Sequence, residues 1–251
     1  MRRITAFIAT ICFSLSLVTP VFADSFSAAQ KADLEKLIHT YLLEHPEILR
    51  DMSNKLDAND KLAETQKRSG ALKSEAANIF HSQDDAVVGN QKGDVTLVEF
   101  FDYNCHFCKQ SIAEVQSLIK TDKNVRIVMK EFPIFGEDSE YAARAALASN
   151  RQGKYWAFHQ ALFASPVRVT AEIVDQIAAE QGLDVAKMKS DMKDPAIMAT
   201  IQKTQALAQA LAITGTPGFL IDDKLIPGAV PMAQLEAMLT DVRGNGGCKV
   251  C

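Results

Sequence analysis

The chain has 251 residues, with 27 basic and 31 acidic side chains and a formal net charge of −4. That mild acidity gives no ground for nucleic acid or an anionic membrane surface as a partner. Of the five cysteines, four fall in two C-x-x-C pairs, Cys105/Cys108 and Cys248/Cys251.

Arg2 and Arg3 precede an apolar run from Ile4 to Val18, and Thr19-Pro20-Val21-Phe22-Ala23 ends in a small residue. The pattern predicts a secretory signal peptide over residues 1–23, because the apolar run is short for a bilayer span. Cys12 lies mid-run, without the small-residue approach of a lipoprotein cleavage site, and leaves with the peptide. Cleavage leaves 228 residues (251 − 23) and 25 basic against 31 acidic side chains, a charge of −6. Export places the remaining thiols where disulfides form and persist.

Residues 27–80 read as helix. Leu34, Ile38, Tyr41 or Leu42, His45, Leu49, Met52 and Leu56 recur by threes and fours and form one apolar stripe. Pro46 divides it, because proline is tolerated in the first turn of a helix but not in its interior. One helix therefore ends near His45 and a second starts at Pro46-Glu47. Residues 57–69 are charged and weakly periodic, a solvated helix between modules. The stripe either packs on its own domain or pairs with the same arm of another subunit. The charged spacer favours pairing, hence a homodimer through residues 27 to about 56. His45, between Glu44 and Glu47, reads as structural rather than as a metal ligand. Residues 84–94, with Gly89, Asn90 and Gly93, read as a loop.

Val95 to Phe101 is β-branched and aromatic enough for a strand buried on both faces, and Ile112, Val115, Leu118 and Ile119 follow at helical spacing. Cys105-His106-Phe107-Cys108 opens that helix. First-turn N–H groups and the partial positive charge of a helix start favour a thiolate. Cys105, first and partly exposed, is the expected nucleophile, and Cys108, one turn on, the resolving thiol. His106 is expected to lower the Cys105 pKa further. Half a zinc site and a plain structural disulfide are the other readings of this spacing. Zinc lacks two nearby ligands, and the strand-turn-helix context favours redox chemistry. Glu99 is an acidic residue in an apolar strand, pointing by parity away from Val98 and Phe100. Buried, it would have a raised pKa; capped or at the surface, it would not.

Residues 125–131 form a second strand, parallel to the first through a right-handed crossover, and Phe132-Pro133-Ile134-Phe135-Gly136 ends it. Helical segments follow at 139–152, 155–163, 170–181, 185–192 and 195–211. A hairpin covers 218–222 and 225–228 around Asp223-Lys224, and 231–242 is the last helix. The class is α/β: a thioredoxin fold with an all-helical insertion at about 138–212, preceded by a helical arm. The predicted divisions are signal peptide 1–23, arm and linker helix 24–83, thioredoxin domain 84–243, and a flexible tail 244–251 with Cys248-Lys249-Val250-Cys251.

Four motifs carry a resemblance: Val98-Glu99-Phe100-Phe101-Asp102-Tyr103 before Cys105-x-x-Cys108; Phe132 to Gly136; Gly153-Lys154-Tyr155 before Phe158-His159; and Gly215-Thr216-Pro217. Over residues 27–242 the chain resembles the DsbA family of exported thiol-disulfide oxidoreductases, in particular larger members with an N-terminal dimerisation arm, including the Com-type exported antigens. The resemblance implies a cis bond before Pro217 beside the thiols, Thr216 offering its backbone to an extended substrate, and Glu99 assisting proton movement at Cys108. An ordinary strand-entry turn is the other reading of Thr216-Pro217. Phe107 joins Thr216 and Pro217 as an expected substrate-binding residue. His106-Phe107 departs from the Pro-His of the best-known members, and the Cys248–Cys251 tail is a second departure.

The implied function is a periplasmic oxidoreductase and isomerase needing no cofactor. It acts on exported proteins with cysteines and is recycled by a membrane redox partner. The alternative is a soft-metal protein holding Cu(I) with its two dithiols. The tail pair has no strand before it and no helix after it, so it should behave as ordinary thiols that oxidise after export.

Overall fold

The computed structural model describes residues 26–251, so the expected signal peptide lies outside it. The described residues divide into two compact units, one up to Ala58 and one from Asn59 to Cys251. Among them, no helix is long and apolar enough to cross a membrane.

Helix α1 (Ala28–Glu44) starts at a capping box, in which the Ser27 hydroxyl accepts from the Gln30 N–H and the Gln30 side chain accepts from the Ser27 N–H. The chain breaks at His45-Pro46, as the proline predicts, and α2 (Glu47–Phe80) follows. Leu34, Ile38, Tyr41, Leu42, Leu49, Met52 and Leu56 are all exposed, and α1 buries no residue.

The second unit begins inside α2. Leu72, Ile79 and Phe80 are buried with Val98, Phe100, Val128 and Leu220 in the core on one sheet face. Two cations close the end of this helix: Lys130 Nζ donates to the Asn78 carbonyl (2.6 Å) and Arg126 to the Phe80 carbonyl (2.6 Å). Cations there satisfy the last carbonyls and oppose the negative end of the helix dipole. Lys130 is itself buried, paired with the buried Asp85. The boundary expected at residue 84 therefore moves to Asn59, since a break at 84 would strip three apolar side chains from the core.

The sheet has the order β1-β3-β2-β4-β5. Strands β2 (Val95–Phe101) and β3 (Val125–Glu131) are parallel, joined by α3 (His106–Thr121), and the other pairs are antiparallel. Strand β1 (Ala86–Gly89) lies within the stretch read as a loop. Four residues flanked by aspartates and Gly-Asn are too short for a periodic signal, and pairing with β3 makes them a strand. Helices α4 (Glu137–Asn150), α5 (Tyr155–Ala164), α6 (Ala171–Glu180), α7 (Val185–Asp191) and α8 (Pro195–Ala210) form the insertion before β4 (Gly218–Ile221), β5 (Lys224–Pro227) and α9 (Met232–Gly244). Alternate residues of β2 serve opposite cores: Leu97 and Phe101 lie on the α3 side, Val98 and Phe100 on the α2 side. The strand therefore reads as one apolar run.

The tail is not a loose lead. Gly246 and Gly247 take positive φ (90° and 95°), and the Gly247 N–H donates to the Val242 carbonyl, a glycine helix stop. The chain then folds onto the β4–β5 turn, where the Asp222 carboxylate accepts from the N–H groups of Lys249 (2.8 Å) and Val250 (3.1 Å). Cys248 and Cys251 are joined in a disulfide.

Candidate active site

Cys105 is the N-cap of α3, in extended conformation (φ −78°, ψ 121°), so its sulfur sits at the helix start and Cys108 lies in the first turn. The Cys105 thiol donates to the Thr216 carbonyl at 3.2 Å, and the Thr216–Pro217 bond is cis. Cys105 is not partly exposed as expected. Cys105 is 2 % exposed and Cys108 1 %, because the Thr216-Pro217 loop covers the first sulfur and the helix the second.

What separates the two thiols is their surroundings. Cys105 is lowered to about 6, first by the hydrogen bond from Cys108, against burial, and then by the Thr216 side chain and the N–H groups of Cys108 and Phe107. In the thiol form the Thr216 hydroxyl has no partner, which leaves it free to donate to the thiolate. Cys108 is pushed far up, first by burial and next by its bond to Cys105, with Glu99 adding to the effect once it ionises. Glu99 is buried, has an unpartnered Oε2, and is raised to about 8 by burial. It faces the α3 side of the sheet, so at neutral pH it is a protonated carboxyl within electrostatic reach of Cys108.

A set of polar contacts shapes the turn carrying Cys105. Asp102 accepts from the N–H groups of Asn104 (2.7 Å), Ile134 (2.7 Å) and Phe135 (3.1 Å) and from the Ser139 hydroxyl (2.8 Å). Asn104 clasps Val169 through both its N–H and its carbonyl, and Lys109 Nζ donates to the carbonyls of Ser165 and Val167. These bonds bring Ile134, Phe135 and Val167, all exposed apolar residues, to the same helix start as the exposed Phe107.

Behind the turn, the hydroxyls of Tyr103 (3.0 Å) and Tyr155 (2.8 Å) both donate to Glu131 Oε1, and Tyr103 also meets His159 Nδ1 at 3.0 Å. Burial raises Glu131 well above the usual carboxylate range and lowers His159 to about 3. Trp156 stacks on the His159 ring at 5.2 Å.

Residues 96–240 match the family described as the DSBA-like thioredoxin domain. The chain belongs to this DsbA-like family. Residues 30–63 match a second description, the copper resistance protein ScsC N-terminal domain. A thioredoxin-like oxidoreductase from Silicibacter pomeroyi is 46 % identical with a TM-score of 0.66, over 67 % of this chain and 97 % of that one. A linker-deletion mutant of Proteus mirabilis ScsC is 25 % identical with a TM-score of 0.68, over 89 % and 99 %. Disulfide bond formation protein D of Bacillus subtilis is 25 % identical over 152 residues, 56 % of this chain and 68 % of that one. Against the sodium/proton antiporter NhaA of Herminiimonas arsenicoxydans, the match takes in 62 % of the DsbA-like chain and only 25 % of the antiporter.

The structure brings Cys105, Cys108, Glu99, Thr216 and Pro217 together. It turns His106 outward: its ring bonds to Gln110 (3.0 Å) and lies edge-on to Phe107, and the main influences on Cys105 come from other groups. Asp102, Asn104, Lys109, Tyr103, Glu131, Tyr155 and His159 were not among the predicted site residues of the DsbA-like chain. Several lie inside its family motifs, but their partners are 24 to 65 residues away, a spacing that no local pattern encodes. The two C-x-x-C pairs sit at opposite ends of β4. Cys105 is bonded to Thr216 and Cys248 lies against Asp222, and the four residue steps from Gly218 to Asp222 span ~13 Å. One copper ion cannot be shared by both.

Proposed function

We propose that this chain is an exported thiol-disulfide oxidoreductase and isomerase, with Cys105 as nucleophile and Cys108 as resolving thiol. The observation that carries the reading is the opposed tuning of the two sulfurs: Cys105 lowered to about 6 and Cys108 raised, beside a buried Glu99 at about 8. In the oxidised enzyme, a substrate thiolate attacks Cys105, the S–S bond breaks, and Cys108 leaves as a thiolate that takes a proton, with Glu99 as the donor at hand. The Cys105–substrate disulfide is then opened by a second substrate thiolate, leaving Cys105 as its stabilised thiolate. Stabilising that thiolate favours the reduced enzyme and makes its disulfide oxidising. The cis Thr216–Pro217 backbone and the apolar Phe107, Ile134, Phe135 and Val167 offer an extended, cysteine-bearing segment of an exported protein a place to lie. The signal peptide puts the enzyme in the periplasm, where a membrane redox partner reoxidises it. The exposed stripe on α1 and α2 pairs two copies, so that two dithiols work on one scrambled substrate.

Turnover of a scrambled-disulfide substrate is the test. Wild type restores native bonds, Cys105→Ser abolishes exchange, and Cys108→Ser accumulates mixed disulfides through Cys105. Labelling of Cys108 ahead of Cys105 by an alkylating agent at low pH would reverse the two roles.

A further inference from the structure

The exchange chemistry leaves the tail pair unused, yet its surroundings are organised. Asp222, 5 % exposed, occupies the left-handed region (φ 53°), which aspartate tolerates. Its Oδ1 accepts from Lys249 N–H and Val250 N–H, so the backbone between the two cysteines wraps around the carboxylate. The Cys251 N–H donates to Cys248 Sγ at 2.9 Å, a contact that favours a thiolate over a thiol once the sulfur is reduced. One ligand atom each from Asp222, Cys248 and Cys251 lie within 4.8 Å of one another. The fold brings Asp222 to the tail pair from 26 residues upstream of Cys248.

We propose that Asp222, Cys248 and Cys251 form a zinc site that opens when the tail disulfide is reduced. Two thiolates and one carboxylate suit a borderline divalent ion with tetrahedral preference, at ~2.3 Å to sulfur and ~2.0–2.2 Å to oxygen, with a fourth position left for water or another donor. The harder carboxylate favours zinc over Cu(I), which selects sulfur alone. A dithiol reductant gives two electrons and two protons to the Cys248–Cys251 bond, which breaks as the reductant closes to its own disulfide. Zinc then displaces the two thiol protons and forms two Zn–S bonds, with Asp222 as the oxygen ligand. Disulfide and metal exclude each other, so metal loading follows the redox state of the tail.

The test uses the mature chain, cleaved of residues 1–23 and their Cys12, with Cys105→Ser and Cys108→Ser, which removes the other thiols. It is compared oxidised and after reduction with dithiothreitol and desalting, in competition with a chromogenic zinc chelator. The expected result is one zinc ion per reduced chain and none per oxidised chain, with Asp222→Asn binding at least ~10-fold more weakly, the loss typical even of a residue that only supports a metal ligand. Equal zinc in the two redox states overturns the proposal, as does unchanged affinity in Asp222→Asn. The redox comparison needs no change in the tail, and metal content is read independently of exchange activity, so this proposal and the proposed function fail separately.

Discussion

Cys105 and Cys108 are equally buried, yet they hold their protons on opposite terms. Alkylation of the reduced protein should rise through about pH 6 at Cys105, while Cys108 stays unlabelled at neutral pH. A midpoint near the ordinary thiol value would remove the basis for an oxidising pair. Glu99 bears on stability in the opposite sense. Its folded value of about 8 lies above the ordinary 4.5, so between those two pH values the folded state binds more protons than the unfolded state. The Glu99 contribution is therefore present below about 4.5 and is lost as the pH rises through about 8. Glu99→Gln should flatten the fall of melting temperature over that range and slow exchange by removing the proton donor. An unchanged pH profile in both measurements would make Glu99 a bystander.

At the scale of elements, Asp102 decides whether the Cys105 turn and the Phe132–Gly136 segment hold together. Asp102→Ala leaves three N–H groups and a hydroxyl without their acceptor, at about 1–3 kcal/mol for each that stays buried and unpaired. Urea titration should show a clear loss of stability, with exchange slowed more than the fold is weakened. Helix α2 supplies a second prediction: Phe80→Ala should cost ~3–5 kcal/mol, and a chain starting at Asn59 should fold where one starting at Asp84 does not. Circular dichroism and thermal melting distinguish the two chains. Much at this scale was legible in the sequence. The five insertion helices were read as segments close to their observed bounds, with the side chains of Thr170, Asp184 and Asp194 capping three of them in the structure, and the strand-turn-helix around the thiols was marked by its apolar run. What could not be read depends on distant contacts: β1, which exists through its pairing with β3; the anchoring of α2, set by Lys130 and Arg126; and the Asp222 seat that turns a Gly-rich end into a docked tail. Which way the His106 ring points could not be read either, since sequence adjacency does not fix it, and Gln110, four residues on, holds it.

For the whole molecule, the first unit is the part with apolar surface to spare. Leu37, Leu43, Leu49 and Met52 are each more than 60 % exposed in the single chain, an arrangement that a second copy would cover. Ile38→Asp should yield a monomer by sedimentation while leaving single disulfide donation intact and isomerisation reduced. A species of unchanged mass would refute pairing through the arm. The second unit carries the chain's one tryptophan, and Trp156 is stacked on a histidine whose hydrogen-bond partner, Tyr103, lies two residues before Cys105. The protein therefore has a built-in optical gauge. Its intrinsic emission should change when the Cys105–Cys108 bond opens and stay constant in Cys105→Ser, so that the redox poise can be followed in the unlabelled enzyme by light alone.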